Sequence, residues 1–304
     1  MEENANNVTN ASAVNVQNET PVKKFRVGFI FLSLVPVVVL TAIQTAAQIP
    51  FLILASVEVI NDSEITSDAF NVYDHILDVF NAKYAFYSYL IYAVVGLAVF
   101  AIWYYKGFVK KNPKVKISDV FGVKSVTGAV ILAIALYFSI EAAMVLVKWV
   151  LPSVIESYNE MIEMTGIATE PILTIVYGII LGPILEELCF RGLVFAILEK
   201  SNARPWLCIL ISSIMFGAIH LIPVQVAYAT VLALFLGFLR YKYRSVMITV
   251  AAHMLFNLFG TYISEAVKSL GLGDGFTVLF GGISLILIVI AIVIIQKDKK
   301  ALHS

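Results

Sequence analysis

Long runs of apolar side chains alternate with short polar connections along this chain. About 20 consecutive apolar residues allow a helix to cross a bilayer, and stretches without Asp, Glu, Lys or Arg recur at that length. The pattern predicts an all-α, polytopic bundle of about eight transmembrane helices. The predicted spans are 27–57, 84–105, 125–150, 171–198, 206–222, 224–240, 245–264 and 276–296. The fifth and sixth, joined at Ile222-Pro223, are either full spans or a re-entrant pair.

The composition supports a membrane protein and argues against several other classes. Hydrophobic residues make up 60% of the chain and charged residues 14%, against roughly 45–50% and about 25% in a soluble domain. The formal net charge is zero, so no overall field favours nucleic acid as a partner. Cys189 and Cys208 both lie in apolar segments and are predicted to be small core residues. The lipid bilayer is therefore the expected surrounding.

Charged residues outside the spans predict the orientation of the chain. Basic residues precede the first span and follow every second span, at Lys23, Lys24, Arg26, Lys106, Lys110, Lys111, Lys114, Lys116, Lys124, Lys200, Arg204, Arg240, Lys242, Arg244, Lys297, Lys299 and Lys300. The alternate loops are acidic, at Glu58, Asp62, Glu64, Asp68, Asp74, Asp78, Glu156, Glu160, Glu163 and Glu170. By the positive-inside rule both termini are cytoplasmic. We therefore expect a multi-pass protein of the cell membrane.

Four segments are predicted from this pattern. Residues 1–22 lack the basic and apolar regions of a signal peptide and are expected to form a disordered cytoplasmic tail. Residues 23–170 hold the first three spans, and residues 171–265 hold a core that contains almost all intramembrane ionisable groups. Residues 266–304 form the last span and a basic tail.

Span four carries the densest group of charges that a membrane should exclude. A charge at a span centre costs about 2.5–3.5 kcal/mol on insertion scales, so it usually faces a protein interior or a wet cavity. Glu187 and Arg191 are four positions apart, which places them on one helical face and predicts an ion pair. Glu186 lies about 100° around the helix, so Arg191 need not neutralise both carboxylates. Glu186 is therefore the candidate base, and the ion pair is either functional or a lock between helices.

Two further spans carry imidazole groups. His220 follows Gly217, which permits close helix approach, and His253 lies four positions before Asn257 on one face. At about 1.5 Å per residue, Glu186 and His220 lie roughly 20 Å from the cytoplasmic ends of their spans, and His253 roughly 13 Å. These depths predict convergence between the midplane and the cytoplasmic half of the bilayer. The structural alternatives are a satisfied core histidine and an interhelical hydrogen bond.

Glu141 lies in the middle of span three. It is predicted to line the cavity in a supporting role. Snorkelling, or pairing with Gln44 of span one, is the structural alternative.

Three short motifs in the core carry a family resemblance. They read Glu186-Glu187-Leu188-Cys189-Phe190-Arg191, Phe216-Gly217-Ala218-Ile219-His220 and His253-Met254-Leu255-Phe256-Asn257. The chain here resembles the CPBP family, which comprises CAAX prenyl endopeptidases of the Ras-converting type and bacterial relatives linked to bacteriocin processing and self-immunity. The resemblance implies an eight-helix intramembrane fold. It also implies Glu186 as water-activating base, His220 as its partner, and His253 and Asn257 as polar contacts for the oxyanion.

The sequence therefore predicts an intramembrane endopeptidase that hydrolyses a membrane-associated or lipidated peptide or protein near the cytoplasmic side. No cofactor is required by this reading. A zinc site made by Glu186, His220 and His253 is an alternative, although the chain lacks a His-Glu-x-x-His helix. A non-catalytic immunity or scaffold protein that sequesters a peptide is a second alternative. A transporter is a third, but its spans should show paired Gly/Pro interruptions in both halves.

Overall fold

The computed structural model describes residues 24–62, 72–110, 116–165 and 171–298, and the regular structure within these ranges is entirely helical. Seven of the described helices are long and apolar enough to cross a membrane. The main helices are α1 Gly28–Asn61, α2 Val72–Val109, α3 Val123–Val150, α4 Pro152–Glu163, α5 Pro171–Glu199, α6 Pro205–Ala218, α7 Pro223–Tyr243, α8 Val246–Ser269 and α9 Asp274–Gln296. The predicted all-α membrane bundle is confirmed, while the predicted tail 1–22 lies outside the described residues.

The predicted span 206–222 forms the shortest of these apolar segments. Helix α6 has 14 residues, which gives a length of about 21 Å at 1.5 Å per residue, against a hydrocarbon core of about 30 Å. The chain then turns back at residues 219–222, and α7 packs along α6. The predicted segment 206–222 thus contains a shorter helix, and the choice between two full spans and a re-entrant pair stays a prediction.

Residues at the helix ends explain where these elements begin. Pro205 and Pro223 occupy the first turns of α6 and α7, where a missing N–H costs nothing. Arg244 ends α7 in the left-handed region with φ of 49°. The hydroxyl of Ser245 then caps α8 by accepting a hydrogen bond from the backbone N–H of Met247 at 3.2 Å.

Helix α5 lies at the centre of the bundle. It contacts α1, α2, α6, α7 and α8, and its second half, from Leu193 to Leu198, is almost completely buried. A helix that is apolar on all sides is stable only when other helices surround it. The motif with both glutamates is therefore carried by a helix that other helices surround.

The outer surface of the bundle is apolar. Large side chains such as Leu279, Ile283, Leu285 and Ile286 of α9 are exposed, as expected for a surface solvated by lipid. The opposite side of α9 packs closely along α3. At Gly281 an added Cβ atom would lie 2.1 Å from the Cβ of Ala142 and 3.0 Å from the carbonyl oxygen of Phe138, whereas one at Gly282 would meet no atom within 4 Å.

Replacing Gly281 by Ala is therefore expected to lower the stability of the bundle by about 1–3 kcal/mol, because the added methyl group overpacks the contact between α3 and α9. Gly282→Ala is the matched control and should be neutral or stabilising by up to about 1 kcal/mol, since Ala is the better helix former. Unfolding of both purified variants in detergent measures the difference. Equal stability of the two variants would contradict this packing.

Candidate active site

The two glutamates lie in a short α-helical stretch between two π-helical turns of α5. The turns are Thr174–Leu181 and Leu188–Val194, and the α-helical stretch is Gly182–Glu187. π-Helical turns within α-helices occur frequently at functional sites. An added Cβ atom at Gly182 would lie 2.8 Å from the carbonyl oxygen of Tyr177. The local sequence thus permits a tight turn immediately before Glu186.

Glu187 and Arg191 form a fully buried ion pair. Both side chains are 0% exposed, and Glu187 Oε1 lies 2.9 Å from Arg191 Nη1, as the i, i+4 spacing predicts. Arg191 Nη2 donates to the carbonyl oxygen of Ala233 on α7 at 3.1 Å. Its guanidinium lies 4.6 Å from the centre of the Phe216 ring on α6. The arginine therefore connects α5 to both helices of the hairpin while it neutralises Glu187.

Glu186 has different surroundings from its neighbour. It lines a cavity, and its side chain is 18% exposed. The nearest cationic candidate is His253, whose Nε2 atom lies 3.8 Å from Glu186 Oε2, beyond hydrogen-bond distance. No ion pair between Glu186 and Arg191 is formed among the described residues. Of the two adjacent carboxylates, one is therefore neutralised by arginine and the other faces the cavity.

Hydrogen bonds fix the orientation of both imidazoles. His253 Nδ1 lies 3.1 Å from Glu187 Oε1, and His220 Nδ1 lies 3.0 Å from the carbonyl oxygen of Phe216. Carboxylate and carbonyl oxygens accept hydrogen bonds, so Nδ1 carries the proton in each neutral ring. The Nε2 atoms are then left to accept a proton. The Phe216 ring lies between the two imidazoles, with centroid distances of 5.1 Å to His220 and 5.7 Å to His253.

A strained turn follows His220. Leu221 has φ of 62°, a region that a branched side chain rarely adopts. The N–H of Ile222 donates to the carbonyl oxygen of His220 at 2.7 Å. The chain reverses here within three residues, so His220 is held at the tip of the hairpin of α6 and α7.

Gly217 has the packing role that its position predicts. An added Cβ atom there would lie 2.7 Å from the carbonyl oxygen of Val226 and 2.0 Å from Oγ1 of Thr230. That hydroxyl is itself bonded to the Val226 carbonyl. Glycine therefore allows α6 to approach α7 closely enough to place His220.

Asn257 connects α8 to the first π-helical turn of α5. Its Nδ2 atom donates to the carbonyl oxygen of Gly178 at 2.8 Å. A carboxamide nitrogen carries two N–H groups, so this bond fixes the side chain and leaves one donor. Asn257 also lines the cavity.

These groups meet in a cavity of about 710 Å³, within the range typical of small-molecule and cofactor sites. Glu186, His220, His253 and Asn257 line it, whereas Glu187 and Arg191 lie behind its wall. Glu141 lines it too, as expected, together with Gln44.

The cavity wall also contains tyrosines that the sequence pattern did not predict, at Tyr89, Tyr92, Tyr137, Tyr158, Tyr177 and Tyr228. Hydropathy treats tyrosine as nearly neutral, and only the i, i+3 spacing of Tyr89 and Tyr92 could have indicated a shared face. The hydroxyl oxygens of Tyr158 and Tyr228 lie 3.3 Å apart. Burial raises the pKa of the Tyr158 phenol, so it remains a hydrogen-bond donor. These side chains contribute apolar ring surface to the wall, with polar hydroxyl groups at the ends of the rings.

The zinc alternative is not supported by the arrangement of donors. Among the described residues no three or more His, Cys, Asp or Glu side chains are grouped closely enough to hold a metal ion. Glu186, His220 and His253 therefore do not form a preformed three-donor site. Cys189 and Cys208 are free and buried, which confirms their prediction as core residues.

The motif residues of this site lie within a segment that matches a known protein family. Residues 168–259 match the family model described as Type II CAAX prenyl endopeptidase Rce1-like. This confirms the family resemblance of the three motifs. A relative from Bacillus subtilis (strain 168), named "Putative membrane peptidase YdiL", is 33% identical over 105 residues. The alignment covers 34% of this chain and 42% of the relative, so less than half of either protein is compared. No solved structure matches the chain.

The buried ion pair between Glu187 and Arg191 leads to a stability prediction. Arg191→Met is expected to destabilise the protein by about 3–5 kcal/mol, because it leaves Glu187 buried without its partner. The double variant Glu187→Gln, Arg191→Met should recover most of that loss. Lys83→Met, which removes an exposed ion pair with Glu58, is the control and should change little. Unfolding in detergent is measured for all four proteins. A double variant no more stable than Arg191→Met would argue against the pairing.

Proposed function

We propose that this protein is an intramembrane endopeptidase in which Glu186 activates water for attack on a peptide bond. The observation that supports this most directly is the contrast between the two adjacent carboxylates. Glu187 is neutralised by Arg191 and bonded to His253, while Glu186 faces the cavity with no arginine partner. The match of residues 168–259 to a peptidase family supports the same chemistry.

The proposed reaction uses only groups that line the cavity. Glu186 removes a proton from water, and the water oxygen bonds to the carbonyl carbon of the substrate. Negative charge then grows on the carbonyl oxygen, where the remaining N–H of Asn257 donates a hydrogen bond. When the C–N bond breaks, the departing nitrogen takes up a proton, which Glu186 returns or His220 passes on through Nε2. Atoms and charges balance, because the water supplies one OH and one H.

Glu187 and Arg191 act as positioning residues in this proposal. Neither lines the cavity, so neither touches the substrate. The carboxylate of Glu187 orients His253 by accepting from Nδ1 at 3.1 Å. Arg191 holds α7 against α5 through the Ala233 carbonyl. Substitution of Glu187 or Arg191 should therefore alter the geometry of the site and the stability of the protein, without removing a group that reacts with the substrate.

The cavity indicates the size and character of the substrate. A volume of about 710 Å³ accommodates a short extended segment of a peptide rather than a folded domain. Tyrosine rings provide apolar area with hydroxyl groups at the edge, a surface suited to a mixed apolar and polar peptide. We propose as substrate a peptide or protein that is associated with the membrane by apolar residues or by a lipid.

Glu186→Gln tests the role of the base. The substitution keeps size and hydrogen bonding but removes proton acceptance, so the rate should fall by about 10²–10⁴-fold while the unfolding transition stays unchanged. His220→Ala should fall comparably. The double variant should be little worse than either single one, because residues that act on one water are not additive. Cleavage of a fluorogenic peptide in detergent measures these rates.

The matched control is Glu141→Gln, which changes another carboxylate in the wall of the same cavity. It should retain appreciable turnover. Activity retained by Glu186→Gln would refute the proposed base. A biological phenotype that survives in Glu186→Gln cells would favour a scaffold that sequesters a peptide.

Metal removal separates direct activation of water from the zinc alternative. Exhaustive chelation of the purified protein should leave activity unchanged if Glu186 acts directly, and metal content is measured in parallel. Stoichiometric zinc, with activity lost on stripping and recovered on its return, would overturn the direct mechanism and leave the peptidase proposal standing.

A further inference from the structure

The connections between helices form two faces with opposite charge. The basic face is built from residues 24–27, 200–204, 240–244 and 297–298. The N–H of Arg26 donates to the carbonyl oxygen of Ser201 at 2.8 Å, and Lys242 Nζ donates to the carbonyl oxygen of Gln296 at 3.3 Å. These contacts join residues 24–27 to residues 200–204 and residues 240–244 to the end of α9, and Arg240 Nη2, 3.7 Å from Glu199 Oε2, links the two pairs. The sequence assigns all four segments to one side.

The acidic face lies at the other ends of the helices and is built from residues 58–62, 72–84, 148–165 and 264–274. Asn81 Nδ2 donates to the carbonyl oxygen of Met164 at 3.4 Å, and Lys148 Nζ lies 3.1 Å from Asp274 Oδ2. By the positive-inside rule this face is non-cytoplasmic.

Between the site and the basic face the protein is closed. Leu193, Phe195 and Leu198 of α5 are 0% exposed. Arg240 donates through Nε to the carbonyl oxygen of Arg191 at 2.9 Å, and its guanidinium lies 5.3 Å from the centre of the Phe195 ring. No residue of 190–215 or 233–252 lines the cavity. The half of the bundle near the basic face is therefore packed and offers no path to Glu186.

Toward the acidic face the cavity is open. Along α8 its lining residues run from His253 to Lys268, a distance of about 22 Å at 1.5 Å per residue. Glu265 and Lys268 at the end of this run are exposed. Thr165, which follows α4, lines the cavity at the same end. The long axis of the cavity thus connects Glu186 with the acidic face.

We propose that the substrate reaches Glu186 from the acidic, non-cytoplasmic face. This rests on the proposed peptidase function and narrows it to translocated segments of membrane-associated peptides or proteins. It differs from the expectation of cleavage near the cytoplasmic side, which was based on the depths of the site residues. A prenylated C-terminus that remains in the cytoplasm would not meet this opening.

Thiol labelling tests the direction of access in intact cells. Ser264→Cys places a thiol in the cavity wall and Glu163→Cys places one on the acidic face. Lys106→Cys lies at the end of α2, which reaches the basic face where the centre of the Phe108 ring lies 4.3 Å from Lys200 Nζ. The native cysteines are buried, so the wild-type protein gives the background. With a membrane-impermeant maleimide, the first two variants should label equally in intact and lysed cells. Lys106→Cys should label only after lysis. Labelling of Ser264→Cys only after lysis would overturn the proposal.

Cleavage by sealed vesicles provides the second test. A charged, membrane-impermeant peptide library is added outside right-side-out and inside-out vesicles, and new termini are identified by mass spectrometry. Products should form only with right-side-out vesicles, disappear in Glu186→Gln, and be lost when Ser264→Cys is first modified with the maleimide. Products only from inside-out vesicles would refute access from the acidic face and support the peptidase. If the protein cleaves no peptide even in detergent, the peptidase function is refuted. The labelling result still shows from which face the cavity is reached.

Discussion

The ion pair between Glu187 and Arg191 is the interaction on which the arrangement of the site depends. Both groups are fully buried in a protein surrounded by hydrocarbon, where an unpaired charge costs several kcal/mol. Such a pair is stable only with good geometry and further hydrogen bonds, and here those bonds come from α7 and α8. The buried charges on α5 therefore require α7 and α8 as packing partners, and α8 brings His253 to the site.

The same ion pair gives two adjacent glutamates different surroundings. Arg191 contacts one carboxylate on its own helical face, and the rotation between consecutive residues directs the other into the cavity. His253 lies between them, with Nδ1 bonded to Glu187 and Nε2 directed toward Glu186. A base beside an orienting residue is a recurrent arrangement in hydrolytic enzymes. In this protein the orienting group and the proposed base are neighbours in sequence.

The polar lining of the cavity offers hydrogen-bonding partners for water at a depth where lipid offers none. The cavity combines carboxylate, imidazole, carboxamide and phenol groups, which can hydrogen-bond to water. Packed aliphatic and aromatic side chains close the half of the bundle near the basic face. The protein therefore separates a half with a polar cavity, which holds the proposed site, from a packed apolar half that supports it.

The sequence alone determined those properties that depend on local spacing and on solvent. Apolar length predicts membrane helices, and the i, i+4 positions of Glu187 and Arg191 predict their ion pair, because helix geometry places such residues together wherever the helix lies. Only the tertiary structure decided that α6 ends after 14 residues, since its end is set by the turn after His220 and the packing of Gly217 against α7. It also decided that tyrosines from separate helices share one cavity wall, and that this cavity opens toward the acidic face. Contacts between helices far apart in sequence depend on how the whole bundle packs, which no short motif records.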